Sequence, residues 1–124
     1  GKGNIVKTGK DTAIFAFGNM LEIALKASEK INATVIDMGF VKPLDKNLII
    51  EIANNSKLLI SIEDNTVNGG AGSAINELLQ ENNISTPLKI LGVPDKVTEH
   101  GSQSELYELY GLPPENIINV SEHK

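Results

Sequence analysis

Short apolar runs rich in β-branched residues alternate along this chain with segments whose apolar residues recur at helical spacing. This alternation is typical of a parallel sheet, because each parallel strand is joined to the next by a helical crossover. The predicted strands are residues 4–7 at an edge, then 13–17, 34–38, 58–62 and, as the last central strand, 88–91. The expected fold is α/β: a three-layer α/β/α sandwich around a mostly parallel five-stranded sheet with one antiparallel edge strand.

The helices between these strands are predicted from caps and from the apolar faces that follow them. Asn19 and Glu22 form a predicted capping box, and Asp45 is a predicted cap of the second helix. Another capping box, Ser102 with Glu105, opens a predicted helix through Tyr110, and Pro114 begins a final one. The residues expected to face the sheet or the core are Leu21, Ala24, Leu25, Ser28, Leu48, Ile49, Ile52, Ala53, Ala74, Ile75, Leu78, Leu79, Ile117 and Ile118.

Length and composition indicate one domain and exclude several classes of function. A chain of 124 residues is the size of a single domain. Its net charge of -5 argues against nucleic acid and anionic membranes as partners. It has no cysteine, and all 11 basic residues are lysine, so the arginine that usually clamps phosphates is missing. No apolar run approaches the roughly 20 residues of a membrane span. No signal peptide is visible, and the start at Gly1 without methionine suggests a piece of a longer protein.

Polar residues cluster after the predicted strands, where open α/β sheets place their ligands. Two interpretations stay open for Gly18–Asn19, Asp37, Glu63–Asn65, Asp95 and His100: a shared crevice, or ordinary polar turns and caps, which the sequence favours. Glu63 and Asp64 could bind a hard cation, but neighbouring residues of a strand point to opposite faces. His100 lies beside Glu99, and with no nucleophile placed nearby a structural or interface role is favoured.

The glycine-rich segment 69–73 follows a strand and precedes a helix, which is where a phosphate cradle would lie. Gly70 and Gly72 begin a G-x-G-x-x-G pattern, but Ile75 stands at the third glycine, and Glu63 and Asp64 upstream would repel a phosphate. A flexible turn into a helix that packs closely on its neighbours is the favoured interpretation.

Several segments in order carry a resemblance to a known family. They are 1–3, 9–11, 40–45, 63–65, 69–73, 92–95 and 99–101. Together they resemble the C-terminal domain of the 1-deoxy-D-xylulose-5-phosphate synthase family, in the transketolase superfamily, over essentially the whole chain. The chain departs from the family pattern at three positions. Gly39 stands where the family usually has arginine, Val97 stands where an aromatic residue is usual, and Asp64 replaces a glutamate.

The resemblance implies a transketolase C-terminal-like fold and a parent transferase of the cytoplasm of bacteria, or of plastids. The parent would condense pyruvate with glyceraldehyde 3-phosphate and release CO2, using thiamine diphosphate and Mg2+, for isoprenoid, thiamine and pyridoxal synthesis. This domain would hold no catalytic, cofactor or metal residue and be inactive alone, and would contact the remaining domains and a second subunit. Its expected interface residues are Phe40, Lys42, Pro43, Glu63, Asp64, Asn65, Gly70, Gly72, Pro94, Asp95, His100 and Gly101.

Two alternatives differ in class from this prediction. The chain could be the equivalent domain of another thiamine enzyme, a transketolase or a 2-oxo acid dehydrogenase β subunit. It could also be a stand-alone module that binds an anion where Gly72 and Ser73 begin a helix.

Overall fold

A computed structural model describes residues 2–39, 44–64 and 70–93 of the chain. Within these ranges the strands are β1 (Asn4–Lys7), β2 (Thr12–Phe17), β3 (Thr34–Gly39), β4 (Leu58–Asp64) and β5 (Leu88–Val93). The helices are α1 (Leu21–Ile31), α2 (Lys46–Asn54) and α3 (Ala71–Glu81), with a 3-10 turn, Gly18–Met20, between β2 and α1. The helices predicted around Tyr110 and after Pro114 lie outside the described residues. None of the described helices has the length and apolar character needed to cross a membrane.

The five strands form one sheet in the order β1-β3-β2-β4-β5. β2 pairs in parallel with both β3 and β4, and β4 pairs in parallel with β5. β1 pairs antiparallel with β3, which confirms the predicted antiparallel edge. The prediction that residues 88–91 form a central strand is wrong for the described sheet, because β5 pairs there with β4 alone. A strand at the edge of a sheet can still carry apolar residues on its faces. The hydrophobicity of residues 88–91 therefore did not distinguish an edge strand from a central one.

The core lies on both faces of the sheet, as expected for an α/β/α sandwich. One cluster joins α1, through Ile23, Ala24 and Ala27, to residues of β2, β3 and β4. The other joins α2 and α3 to the opposite face of the same strands. Every residue of β2 is buried, because this central strand is covered on both faces.

The start of α1 differs from the predicted capping box. Gly18 has a φ of 64°, and the chain then makes one 3-10 turn that contains Asn19 at φ -93° and ψ 24°. The N-cap is therefore the buried Met20, which makes no side-chain cap hydrogen bond. The burial of Ala24 and Ser28 is confirmed, whereas Ile23 and Ala27 were not predicted to face the core. Leu21 and Leu25, which were also predicted to face the core, are partly buried and pack against it.

The predicted cap of α2 is confirmed. The Leu48 backbone N–H donates to Asp45 Oδ1 at 3.3 Å, and Ile49, Ile52 and Ala53 are buried as expected. The same carboxylate accepts a second hydrogen bond at Oδ2, 3.1 Å from the backbone nitrogen of Gly3. Asp45 therefore caps the helix and also holds the segment that leads into β1.

Replacing Asp45 should show both contributions. Asp45→Ala is expected to lower the free energy of unfolding by about 1–2 kcal/mol, because it removes a helix cap and a partner of the Gly3 N–H. Urea denaturation followed by circular dichroism measures this loss. Asp45→Asn keeps a cap acceptor and should restore about half or more of the stability. An alanine variant as stable as wild type would show that water replaces both hydrogen bonds.

Candidate functional site

Among the described residues, the strand-end positions that the sequence singled out lie at one edge of the sheet. This carboxyl edge is formed, among the described residues, by 17–19, 37–39, 63–64 and 92–93. Register places Phe17 beside Gly39 and Glu63 beside Gly92. After β2 the chain passes to α1 on one face, and after β4 it passes to α3 on the other. The carboxyl ends of β2 and β4 therefore form a topological switch point, where open α/β sheets place their clefts.

Glu63 is the side chain at this edge with the most specific geometry. Its Oε2 accepts a hydrogen bond from the backbone N–H of Ala71 at 2.8 Å, and its Oε1 accepts one from Gly72 at 3.3 Å. Both donors belong to the first turn of α3, where backbone N–H groups lack helical partners and the helix dipole is positive. The carboxylate thus caps α3 from the neighbouring strand, and it takes the two donors that a bound anion would use.

The start of α3 packs as closely on the sheet as its glycines suggested. Gly70 is the N-cap, with a φ of 62° that favours glycine. A Cβ placed on the buried Gly72 would lie 2.6 Å from Ile90 Cγ2 and 2.8 Å from Ser61 Oγ. Close helix–sheet packing, the favoured interpretation of this segment, is therefore confirmed at Gly72. The sequence did not reveal Ser61, which lies beneath this turn in the middle of β4.

Ser61 carries a fully buried hydroxyl whose Oγ has no hydrogen-bond partner among the described residues. Ser28, on α1, is equally buried, but its hydroxyl donates to the Leu25 carbonyl at 2.7 Å and accepts from Lys7 Nζ at 2.9 Å. The two serines thus form a matched pair, one without and one with hydrogen-bond partners. An unpartnered buried hydroxyl costs free energy, because it loses its water and gains nothing in return.

The two serines should respond to alanine in opposite directions. Ser61→Ala is expected to leave the free energy of unfolding unchanged or raise it by up to about 1 kcal/mol, since no hydrogen bond is lost. Ser28→Ala should lower it by about 1–2 kcal/mol, because it removes the hydrogen bond to the Leu25 carbonyl and the hydroxyl that accepts from the Lys7 ammonium group. Chemical denaturation of both variants gives the comparison. Equal destabilisation by the two substitutions would mean that Ser61 is bonded in solution.

The other acidic residues of the carboxyl edge do not join Glu63 in a cluster. Because β4 continues through Asp64, Glu63 and Asp64 alternate between faces and cannot act as a bidentate pair, as the sequence indicated. Asp37 Oδ1 accepts a hydrogen bond from the backbone N–H of Gly39 at 3.0 Å, which closes the end of β3. Within residues 2–39, 44–64 and 70–93, no three histidine or carboxylate side chains are grouped so that they could hold a metal ion.

Several predicted site residues lie outside the described residues: Phe40, Lys42, Pro43, Asn65, Pro94, Asp95, His100 and Gly101. Their assignment to an interface stays a prediction. Of the remaining four, Glu63, Gly70 and Gly72 meet at the start of α3, and Asp64 follows at the end of β4. The assignment of these four residues to an interface also stays a prediction.

Comparison with known proteins identifies this architecture. The family model "Transketolase, C-terminal domain" matches residues 1–117. The chain belongs to the transketolase C-terminal domain family. A solved structure described as a split-gene transketolase, inactive beta4 tetramer, superposes on this C-terminal domain with a TM-score of 0.76 and 32% identity. The match covers 98% of this chain and 41% of that one. The fold predicted from the sequence is confirmed.

The transketolase C-terminal domain is also similar to several bacterial 1-deoxy-D-xylulose-5-phosphate synthases. The protein of Dechloromonas aromatica is 48% identical over 97% of this chain. The synthase of Vibrio vulnificus is 45% identical over 99% of it. This chain spans only about one fifth of those relatives, 19% and 20% of their lengths. The similarity therefore concerns one domain of much longer proteins.

Thiamine diphosphate and Mg2+, which the synthase family implies, do not fit the start of α3 as it is built here. A diphosphate at this helix would need the N–H groups of Ala71 and Gly72, and Glu63 already accepts from both. The carboxylate would also repel the ligand's negative charge. No step of a thiamine reaction is therefore assigned to these residues.

Proposed function

We propose that this chain is the C-terminal domain of a 1-deoxy-D-xylulose-5-phosphate synthase. The parent would condense pyruvate with glyceraldehyde 3-phosphate and release CO2, using thiamine diphosphate and Mg2+ held by its other domains. The observation that carries the proposal is the 48% identity to a synthase over 97% of this chain. A cytoplasmic or plastid location and a homodimeric parent belong to the same proposal.

Within that enzyme the domain supports the structure and the dimer and is inactive by itself. The edge carboxylates whose hydrogen bonds are known serve the fold: Glu63 caps α3, and Asp37 closes the end of β3. The exposed large apolar side chains of the described residues lie on the outer strands, Ile5 and Val6 on β1 and Ile90 on β5. Apolar groups exposed on sheet edges favour contact with another protein surface.

Truncation of the parent tests this role. The full-length synthase, a form ending before Gly1, and that form with this chain added are compared for product formation from pyruvate and glyceraldehyde 3-phosphate. Light scattering reports the molar mass of each sample. Loss of activity and of the dimer on truncation is expected, with recovery when the chain is added, and no product from the chain alone. A truncated enzyme that stays dimeric and fully active would overturn the supporting role.

A second candidate is the same domain of a transketolase, which the structural similarity to the split-gene transketolase favours. The identity to that protein is 32%, compared with 48% to the synthase of D. aromatica, so the synthase is preferred. The parent's substrates decide between the two. Two-carbon transfer between sugar phosphates, with no turnover of pyruvate, would favour the transketolase.

A further inference from the structure

The segment that leads into β1 lies at the carboxyl edge of the sheet. β1 runs antiparallel to β3, so its first residue, Asn4, pairs with Asp37 near the end of β3. Gly3 lies one residue further in the same direction and packs between β3 and α2. A Cβ placed on it would meet Leu48 Cδ2 at 2.8 Å and Met38 Sδ at 2.9 Å. Gly3 therefore belongs to the packed domain, and the chain enters this domain at the carboxyl edge.

The carboxylate of Asp45 holds this entry point. Its Oδ1 accepts a hydrogen bond from the Leu48 backbone N–H at 3.3 Å, which is the local cap of α2. Its Oδ2 accepts one from the Gly3 backbone N–H at 3.1 Å, across 42 positions of the sequence. Hydrogen bonds to an ionised acceptor are stronger than those between neutral groups. Asp45 thus ties the segment before β1 to the start of a helix on the sheet.

The opposite end of β1 is held as well. Lys7 Nζ donates to the hydroxyl of the buried Ser28 at 2.9 Å, and the Gly9 N–H donates to Thr34 Oγ1 at 2.9 Å. The first contact joins β1 to α1, and the second joins the connection after β1 to β3. Because the strand is fixed at both ends, the direction in which the chain arrives is fixed relative to the sheet.

The entry point decides which surface of the domain the rest of the parent meets first. This step rests on the proposed function, in which this chain is a C-terminal domain and the other domains precede it. β2 is two strands from β1, or about 10 Å at the usual strand spacing. An extended chain covers that distance in about three residues. The end of β2, with the exposed Asn19, is therefore within short reach of the incoming chain.

We propose that the carboxyl edge is the surface on which the preceding domain of the same chain docks, and that Asp45 is the positioning residue for this contact. Asp45 acts through Gly3, by fixing where the incoming chain meets the domain. The partner at this edge is thus another part of the same polypeptide and not the second subunit.

Photo-crosslinking in the full-length parent tests the docking surface. The photoreactive amino acid p-benzoylphenylalanine replaces Asn19 at the carboxyl edge or, as the matched control, the exposed Lys57, which precedes β4 at the opposite edge. Crosslinks from position 19 to peptides that precede Gly1 in the same chain are expected, with few from position 57. Mass spectrometry identifies the peptides, and a denaturing gel reveals crosslinks between two chains by their doubled mass.

Three outcomes overturn the docking surface. They are crosslinks from position 19 to the second subunit, no crosslinks from position 19, and equal crosslinking of the preceding domain from positions 19 and 57. The substrates of the parent are measured in a separate assay, so a parent that does not turn over pyruvate contradicts the proposed function and not this inference.

Asp45→Asn tests the positioning role in the same crosslinking experiment. The amide keeps one oxygen for the Leu48 N–H but loses the second acceptor that Gly3 uses. The variant should lower the crosslinking yield from position 19 about fivefold or more, because the incoming chain is no longer held. Asp45→Ser, which also keeps a single cap oxygen, replaces it if thermal melts show that the asparagine variant does not fold.

Asp37→Asn is the matched control for Asp45→Asn. It removes the same charge at the same edge, but the hydrogen bond of Asp37 is local, to the Gly39 N–H two residues away. Its crosslinking yield from position 19 should equal that of the wild-type parent. A similar fall in both variants would show a general effect of charge and overturn the role of Asp45, as would an unchanged yield in a folded Asp45 variant.

Discussion

Gly9→Ala should destabilise this domain by about 3 kcal/mol or more, the largest effect expected of any single methyl group added to the described residues. A Cβ on Gly9 would collide with the carbonyl oxygen of Asn32 and with the backbone of Ala33. These are main-chain atoms at the end of α1, so no side-chain rotation relieves the clash. The backbone must move instead.

The surroundings of Gly9 make that movement costly. Its N–H donates to Thr34 Oγ1 at 2.9 Å, and the next N–H, from Lys10, donates to the Asn32 carbonyl at 2.8 Å. Asn32 ends α1 in the left-handed region, with a φ of 52°. Displacing the connection between β1 and β2 would therefore strain several hydrogen bonds at once.

Gly3→Ala is the matched control for Gly9→Ala. A Cβ on Gly3 would meet side-chain atoms of Leu48 and Met38, at 2.8 and 2.9 Å, which can shift by rotation. Its expected cost is about 1 kcal/mol. Urea unfolding of both variants gives the comparison. Similar losses from the two substitutions would show that the Gly9 connection adjusts freely, contrary to its hydrogen bonding.

Ile60→Ala should lower the free energy of unfolding by about 3–4 kcal/mol. Ile60 is fully buried in β4, where it packs in the cluster beneath α1. Truncating it removes apolar burial and leaves a cavity that the paired strands on both sides cannot close, because β4 is hydrogen-bonded to β2 and β5.

The same substitution at Ile5 is the control, because Ile5 lies on the edge strand β1 and is 47% exposed. Ile5→Ala should cost less than about 1 kcal/mol in the isolated chain, since little burial is lost. Chemical denaturation measures both. A large loss at Ile5 in the isolated chain would show that this side chain is covered in solution, for instance by a second copy.

The elements that the sequence predicted well are those whose signals are local. β2, β3 and β4 were predicted within two residues at each end, because a strand covered on both faces needs a near-continuous apolar run. The Asp45 cap was recognised for the same reason, since its acceptor and the Leu48 N–H are three residues apart. Asn19 carried an equally good local signal, but the positive φ of Gly18 inserted a 3-10 turn that the capping pattern does not reveal.

The sequence predicted where the candidate site lies but not which hydrogen bonds form there. The parallel topology implied by the sequence gathered the strand ends at the carboxyl edge. Repulsion of a phosphate by Glu63 stays a prediction, and the hydrogen bonds of Glu63 to Ala71 and Gly72 could not be read from the sequence. They join two elements across a connection whose path depends on how α3 packs.

By itself, the sequence determined the fold class, the alternation of elements and the cap of α2, because periodicity, turn residues and caps act between near neighbours along the chain. The family followed from the resemblance of several segments in order. Only the tertiary structure decided the edge position of β5 within the described sheet, the contact of Gly9 with the end of α1, the burial of the Ser61 hydroxyl and the capping of α3 by Glu63. Each of these depends on groups that are distant in sequence and meet only when helices pack on the sheet. The free energies of these contacts are set by that packing, which a local sequence pattern does not reveal.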